Sequence, residues 1–161
     1  MAHAREEAAD MAPLAAALDS APPPTPPPPG ARRSLDDFIA LVQSGKAQLS
    51  GATRMRLTDC VISAQVLRFI GYRIAAEQER TGIAPTLLAQ MAKLCAMELN
   101  QKITSMTMQV LGMDGQGHRP DSEFASYTHG YLRSVANTIE GGTSEIQRNV
   151  IATRGLGLPR G

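Results

Sequence analysis

The chain has 161 residues, a formal charge of +1, no Trp, three Phe and three Tyr. That length holds one domain with little left for a second. Near-neutrality excludes a global electrostatic pull toward nucleic acid or an anionic membrane, and no apolar stretch is long enough to span a bilayer. Eight Met with many Ala and Leu suit a core of small and flexible side chains, as in helix bundles. Ile, Val and Thr form no alternating runs bounded by turns, so no strand series is predicted. Arg5 beside Glu6, Glu7 and Asp10 fits neither a signal peptide nor an acid-poor transit peptide, which predicts a cytoplasmic location.

In chain order, Met1 to Ser20 is Ala-rich with few large side chains to anchor it. Pro22 to Pro29, interrupted by Thr25, lacks backbone donors and reads as an extended spacer, with a ligand for a proline-reading domain as the alternative. Residues 1–33 are therefore read as leader and linker, and 34–161 as the folded unit. Ser34 reads as an N-cap with Asp36 and Asp37 in the first turn, Phe38, Leu41 and Val42 as one apolar face, and Gly45 as the end. From about Arg54 to Arg80, Leu57, Cys60, Val61, Ala64, Leu67, Gly71, Ile74 and Ala75 recur at steps of three and four and predict one buried stripe. Val66, Phe69 and Ile70 widen that apolar surface toward a second neighbour, and Gly71 would admit a close backbone.

Pro85 suits a helix start. Leu87, Leu88, Met91, Leu94, Cys95, Met106 and Val110 predict a second long helix to about Leu111, with polar Glu98, Asn100, Gln101 and Lys102 facing solvent or polar groups of another helix. Gly112 to Gly117 reads as a turn. A further helix starts at Asp121 or Ser122 and carries Tyr127, Tyr131, Leu132 and Val135. Glu140-Gly141-Gly142-Thr143 breaks it, and Thr143 or Ser144 caps a last helix with Ile146, Val150 and Ile151, before an apolar tail of Leu156, Leu158 and Pro159. The predicted fold is all-α, an up-down antiparallel four-helix bundle with a small leading helix, because short connections join antiparallel neighbours. Cys60 and Cys95 sit in apolar helical patterns and read as buried thiols. His118 and His129 lack metal-ligand spacing. Lys46, Arg54 and Arg56 form a basic face, solvated or set against cofactor phosphates.

Ile139 to Ala152, with its Glu140-Gly141-Gly142-Thr143-Ser144-Glu145-Ile146-Gln147-Arg148 core, carries the most information. Two glycines and a hydroxyl residue at a helix start present bare N–H groups at a positive dipole end, a seat for a phosphate or the polar edge of a cofactor, although most such starts are only caps. The segment resembles the closing signature of acyl-CoA dehydrogenases, down to Leu-Gly-Leu-Pro-Arg at Leu156 to Arg160. Gln109-Val110-Leu111-Gly112 looks like the family's Gln-containing helix end and glycine turn, and Leu57 to Ala152 follows the order of the family's last helices.

The resemblance implies the C-terminal helical domain of a flavoenzyme, with FAD shared across a subunit interface. Thr143 and Glu145 match flavin-contacting positions of the closing motif, and Gln109 and Gly112 match the other cluster. Glu140 is the candidate base that removes a proton beside the thioester carbonyl, a task suited to a carboxylate whose pKa partial burial raises. Its alternative is a helix-end or interface carboxylate, since two glycines separate it from Thr143 where many members have one. Arg148 reads as a structural ion pair or a cap. The chain shows no counterpart of the family's N-terminal helical and central β domains, nor of its Arg-x-x-Phe-Gly segment. Two functions follow from the resemblance. One is a share in α,β-dehydrogenation of an acyl-CoA, as homo- or hetero-oligomer with a dehydrogenase-like chain and an electron-transfer flavoprotein as electron acceptor. The other is a non-catalytic assembly or docking module, or a truncated remnant of a dehydrogenase.

Overall fold

The computed structural model describes residues 31–116 and 121–159, so the leader and the proline segment lie outside it. The described residues are helical and contain no strand. In chain order the helices are α1 (Ala31–Gln43), α2 (Gly51–Thr81), α3 (Thr86–Leu111), α4 (Met113–Gln116), α5 (Ala125–Asn137) and α6 (Ser144–Val150), followed by a π-helical turn at Ile151–Gly155.

Each boundary has a local cause. Ser50 caps α2 by accepting from Thr53 N–H at 3.2 Å, and Gly82 ends it at φ 72°, its N–H on the Gln78 carbonyl. Pro85, at φ −71°, immediately precedes α3. Helix α1 starts ahead of the cap expected at Ser34, because Ala31 and Leu35 are buried in the core and draw the first turn onto it. Ser34 thus lies inside the helix, where its hydroxyl donates to Asn100 Oδ1 at 2.7 Å. The glycine-rich segment after Leu111 is not turn alone, since α4 occupies part of it.

Helix α3 is the common neighbour: α1, α2, α5 and α6 all pack on it. Arg56 Nη1 donates to Gln109 Oε1 at 2.6 Å, while the α2–α3 connection falls at Gly82–Pro85, so these two helices run antiparallel. The main core joins Phe38 of α1, Cys60 of α2 and Leu99, Ile103 and Met106 of α3. A second cluster sets Leu41, Ala47 and Leu111 against Phe124 and Tyr127.

The stripes depart from the sequence pattern in three places. On α2 only Cys60 is buried; Val61, Gly71 and Ala75 are exposed, because the neighbours cover a narrower arc than the apolar pattern spans. On α3 the buried line runs through Leu99 and Ile103 and takes in polar Asn100, Thr104 and Thr107, while Cys95 faces outward. On α5 the buried residues are Thr128 and Ser134, and Leu132 and Val135 are exposed. The α3–α5 contact is polar at its centre: Ser134 Oγ lies 2.9 Å from Thr104 Oγ1, and Thr128 Oγ1 donates to the Gly115 carbonyl at 2.7 Å. No described helix is long and apolar enough to cross a membrane.

Candidate functional site

The Gly-Gly-Thr turn is built from three directions. Gly141 and Gly142 adopt φ of 65° and 105°, which L side chains rarely reach. A Cβ on Gly142 would also meet Gln147 Nε2 at 2.9 Å. Lys93 Nζ donates to the Gly142 carbonyl at 2.8 Å, and Gln147 Nε2 donates to the Gly141 carbonyl at 2.9 Å. Gln147 is buried, so α6 and α3 hold the turn between them. Thr143, of the two caps considered, is the one used: its backbone is extended and its Oγ1 accepts from Ile146 N–H at 3.3 Å. The Glu145 carboxyl is held below the usual carboxylate range by its own backbone N–H first and by the Thr143 hydroxyl second.

Thr143, Ser144, Glu145 and Arg148 form one wall of a cleft of about 420 Å³, with Thr138 and Ile139 at its end and Glu98, Gln101 and Lys102 of α3 opposite. Arg148 pairs with Glu98, so the structural ion pair expected of it is present. That pairing leaves Lys102 as the cation of the α3 wall. The cleft therefore offers two hydroxyls, an ammonium and a carboxylate that remains ionised, a set suited to a polar, partly anionic and hydroxyl-bearing group.

Gln109 lies in a second cleft of about 480 Å³, with Ser105 and Met108 beside it and Gly115, Gln116, Thr128 and Tyr131 across from it. Gly112 ends α3 at φ 59°, its N–H on the Met108 carbonyl at 3.0 Å. The two clefts share no lining residue, but they share a helix face. Glu98, Gln101, Lys102, Ser105, Met108 and Gln109 recur at steps of three and four. At about 1.5 Å of rise per residue that face runs roughly 16 Å from Glu98 to Gln109. The sequence pattern assigns Gln101 and Lys102 to solvent or to polar neighbours, places Tyr131 only on the apolar pattern of its helix, and gives Ser105 no role. The signal was present as this polar recurrence on α3, hidden because it interleaves with the apolar one.

Glu140 lines neither cleft. Its carboxylate forms a fork with Arg133, Nη1 to Oε1 at 2.6 Å and Nη2 to Oε2 at 2.9 Å, and both side chains are more than half exposed. Among the described residues nothing supplies the partial burial that would suit a base. Of the basic face, Arg56 is engaged by Gln109 and Lys46 pairs with Glu123. His118 lies outside the described residues, and His129 is exposed on α5.

Apolar side chains stand exposed beside the clefts. Leu132, Ile139 and Ile146, around the two clefts, are 54, 63 and 53% exposed. An uncovered apolar rim around polar clefts is the form of a site completed by another surface.

Comparison with known proteins agrees with this helical fold. Residues 29–156 match the family model described as acyl-CoA dehydrogenase, C-terminal domain. The chain is 33% identical over 128 residues to acyl-CoA dehydrogenase IpdE1 of Mycobacterium tuberculosis, covering 80% of this chain and 32% of that protein. It is 44% identical over 69 residues to IpdE1 of Mycolicibacterium smegmatis, covering 43% of this chain and 17% of that protein. Among solved structures, the Tcur3481-Tcur3483 steroid ACAD superposes with a TM-score of 0.66 at 21% identity, covering 81% of this chain and 35% of that one. The chain thus spans about a third of the length of the first of these relatives.

Proposed function

Given that this chain belongs to the acyl-CoA dehydrogenase family, as its C-terminal helical domain, we propose that it completes an FAD-dependent α,β-dehydrogenation site whose remaining domains come from a dehydrogenase-like partner chain. The observation that carries the reading is the shared α3 face. It presents two polar clefts, one holding Thr143 and Glu145 and the other Gln109, under an uncovered apolar rim. The residues fit the cofactor. Lys102 suits a phosphate, the Thr143 and Ser144 hydroxyls and the ionised Glu145 suit ribityl or ribose hydroxyls, and the Gln109 amide suits a ring edge or a hydroxyl. Flavin, when bound, supplies the hydride acceptor for the carbon β to the thioester.

In this reading Thr143 has two tasks on two sides, capping α6 inward and presenting its hydroxyl to the cleft. Lys93 and Gln147 keep the Gly-Gly turn, and so Thr143, in place. Glu140 removes the α proton only after two changes: a partner surface must desolvate it, and its fork with Arg133 must open. The paired name of the structural relative, Tcur3481-Tcur3483, is in keeping with a second chain. The substrate class is an acyl-CoA thioester, and an electron-transfer flavoprotein is the proposed electron acceptor.

The exposed Glu140–Arg133 fork favours a second reading, in which the chain is an assembly module and the carboxylate only fastens the end of α5. One experiment separates the two. The tagged chain is purified from its source with whatever accompanies it, and the flavin spectrum and acyl-CoA oxidation are measured for wild type and Glu140→Gln. The catalytic reading expects a yellow complex with a second dehydrogenase-like chain, whose activity falls about 10²- to 10⁴-fold in the variant while flavin absorbance stays. A colourless complex would leave the assembly reading. A yellow complex whose variant keeps its activity would place the base on another residue.

A further inference from the structure

Arg133 stands where two parts of the site meet. Leu132, the residue before it on α5, lines the cleft of Gln109, and Ile139, the residue before Glu140, lines the cleft of Thr143. Ser134, the residue after it, is fully buried and lies 2.9 Å from Thr104 Oγ1 on α3, which fixes how α5 is turned on its neighbour. The Arg133 stem therefore leaves the helix beside the clefts. Among the described residues both bonds of its guanidinium go to Glu140. Two parallel N–H···O bonds are a strong and directional hold on a carboxylate.

That hold makes a demand on whatever opens it. A surface that covers Glu140 covers the guanidinium as well, since the two are joined at both oxygens and are exposed to the same degree, 55 and 53%. A guanidinium keeps its charge at any pH the protein meets, and once covered it needs an anionic partner. When Glu140 turns to the α carbon of a substrate, Arg133 loses that partner. Glu98, Glu123 and Glu145 do not take its place. The first two pair with Arg148 and Lys46, and the third is held by its own backbone N–H. The vacated seat lies within one swing of a glutamate side chain from the reacting carbon. The phosphates of a CoA thioester stand a whole pantetheine arm away from that carbon, so the anion that fits the seat belongs to the acyl part.

We propose that Arg133 is a specificity-determining residue that receives a free carboxylate on the acyl chain, so that the substrate is a dicarboxylyl thioester. The inference rests on Glu140 as the base and names the substrate class of that same site. The acyl carboxylate replaces that of Glu140 in the fork, Nη1 and Nη2 each donating to one of its oxygens, and the exchange frees Glu140 for the α proton. A simple acyl chain offers Arg133 nothing and leaves the fork closed.

The test uses the complex purified with its companion chain, and glutaryl-CoA and butyryl-CoA as probes. The two differ by one terminal carboxylate and share every CoA phosphate. In wild type, kcat/KM should favour glutaryl-CoA by about tenfold or more. Arg133→Met should abolish that preference, chiefly through KM for glutaryl-CoA, and Arg133→Lys, which keeps the charge but not the fork, should restore only part of it. Calorimetry gives a readout free of turnover. In Glu140→Gln, where the fork has lost its carboxylate, glutaryl-CoA should bind about tenfold or more tightly than butyryl-CoA, and adding Arg133→Met should remove the difference. Equal use of the two thioesters by wild type overturns the proposal. So does an Arg133→Met variant that weakens both alike, which would give Arg133 a CoA phosphate instead. Turnover kept by Glu140→Gln overturns the base reading by itself. A glutaryl-CoA preference that still follows Arg133 in calorimetry then upholds the receptor, and its absence overturns that as well. A complex that binds neither thioester overturns both.

Discussion

The outer face of α2 and the inner half of α3 show the same apolar recurrence and have opposite fates. On α3, Leu99, Ile103 and Met106 are at most 4% exposed, because α1, α2 and α5 converge on that half. On α2, Ile62, Val66 and Phe69 repeat at the same spacing and stay open, because α1 and α3 reach only the opposite side. Periodicity therefore reports that a face is apolar, and the surrounding helices decide whether the chain covers it. A long apolar stripe left open among the described residues is the kind of surface that a further surface covers.

The largest effect expected from breaking this contrast is at Phe38, which is fully buried at the junction of α1 and α3. Phe38→Ala should lower unfolding stability by about 3–5 kcal/mol in denaturant titration, whereas Val66→Ala should leave the monomer within about 0.5 kcal/mol. Equal losses would mean that the α2 face is covered within the chain.

A smaller effect separates two glycines. At Gly142 both the positive φ and the contact with Gln147 oppose a side chain, so Gly142→Ala should cost about 1–3 kcal/mol and loosen the turn that carries Thr143. Gly71 lies inside α2 with open space around it, so Gly71→Ala should stabilise the isolated chain by about 0.5–1 kcal/mol. A loss at Gly71 seen only in the assembled protein would reveal a close backbone from a partner, the role its position in the sequence suggested.

The smallest effect sharpens the contrast at the thiols. Burial lifts Cys60 above the ordinary thiol range, and at Cys95, which lies at the surface, partial desolvation by its neighbours does so first and Glu98 second. A raised value keeps each thiol protonated at neutral pH, so alkylation should accelerate only as pH climbs past that of a free thiol. Cys95, on the surface, should react in the native chain, and Cys60 only on unfolding. Prompt labelling of both would indicate that α2 opens from α3.

Much of the fold was legible because its punctuation is local. Gly45, Gly82 and Gly112 each take positive φ at a predicted helix end, and Thr143 caps where a hydroxyl after two glycines should. Two of those residues, Gly112 and Thr143, also lie in the segments that carry the family resemblance. What escaped was which polar groups are buried. Asn100, Thr104 and Thr107 carry no sign in the sequence that they lie inside. They do so because Ser34 reaches Asn100 from 66 residues away and Ser134 reaches Thr104 from 30 residues away, while Thr107 closes on the Ile103 carbonyl within its own helix. In the candidate site, Thr143 and Glu145 share a cleft as neighbours on one turn would. That Gln109 sits in a different cleft, and that Glu140 forks with Arg133, depended on how α3 and α5 cross.

By itself the sequence determined the helical class, the glycine and hydroxyl stops, the family, and the local geometry of the Gly-Gly-Thr turn, because each depends on backbone propensities within a few residues. Only the tertiary structure decided which apolar faces are spent on the core and which are left over. It also decided which polar groups find partners and which residues line a common cleft. Those outcomes depend on the arc each helix presents to its neighbours, a quantity fixed by packing between segments far apart in the chain.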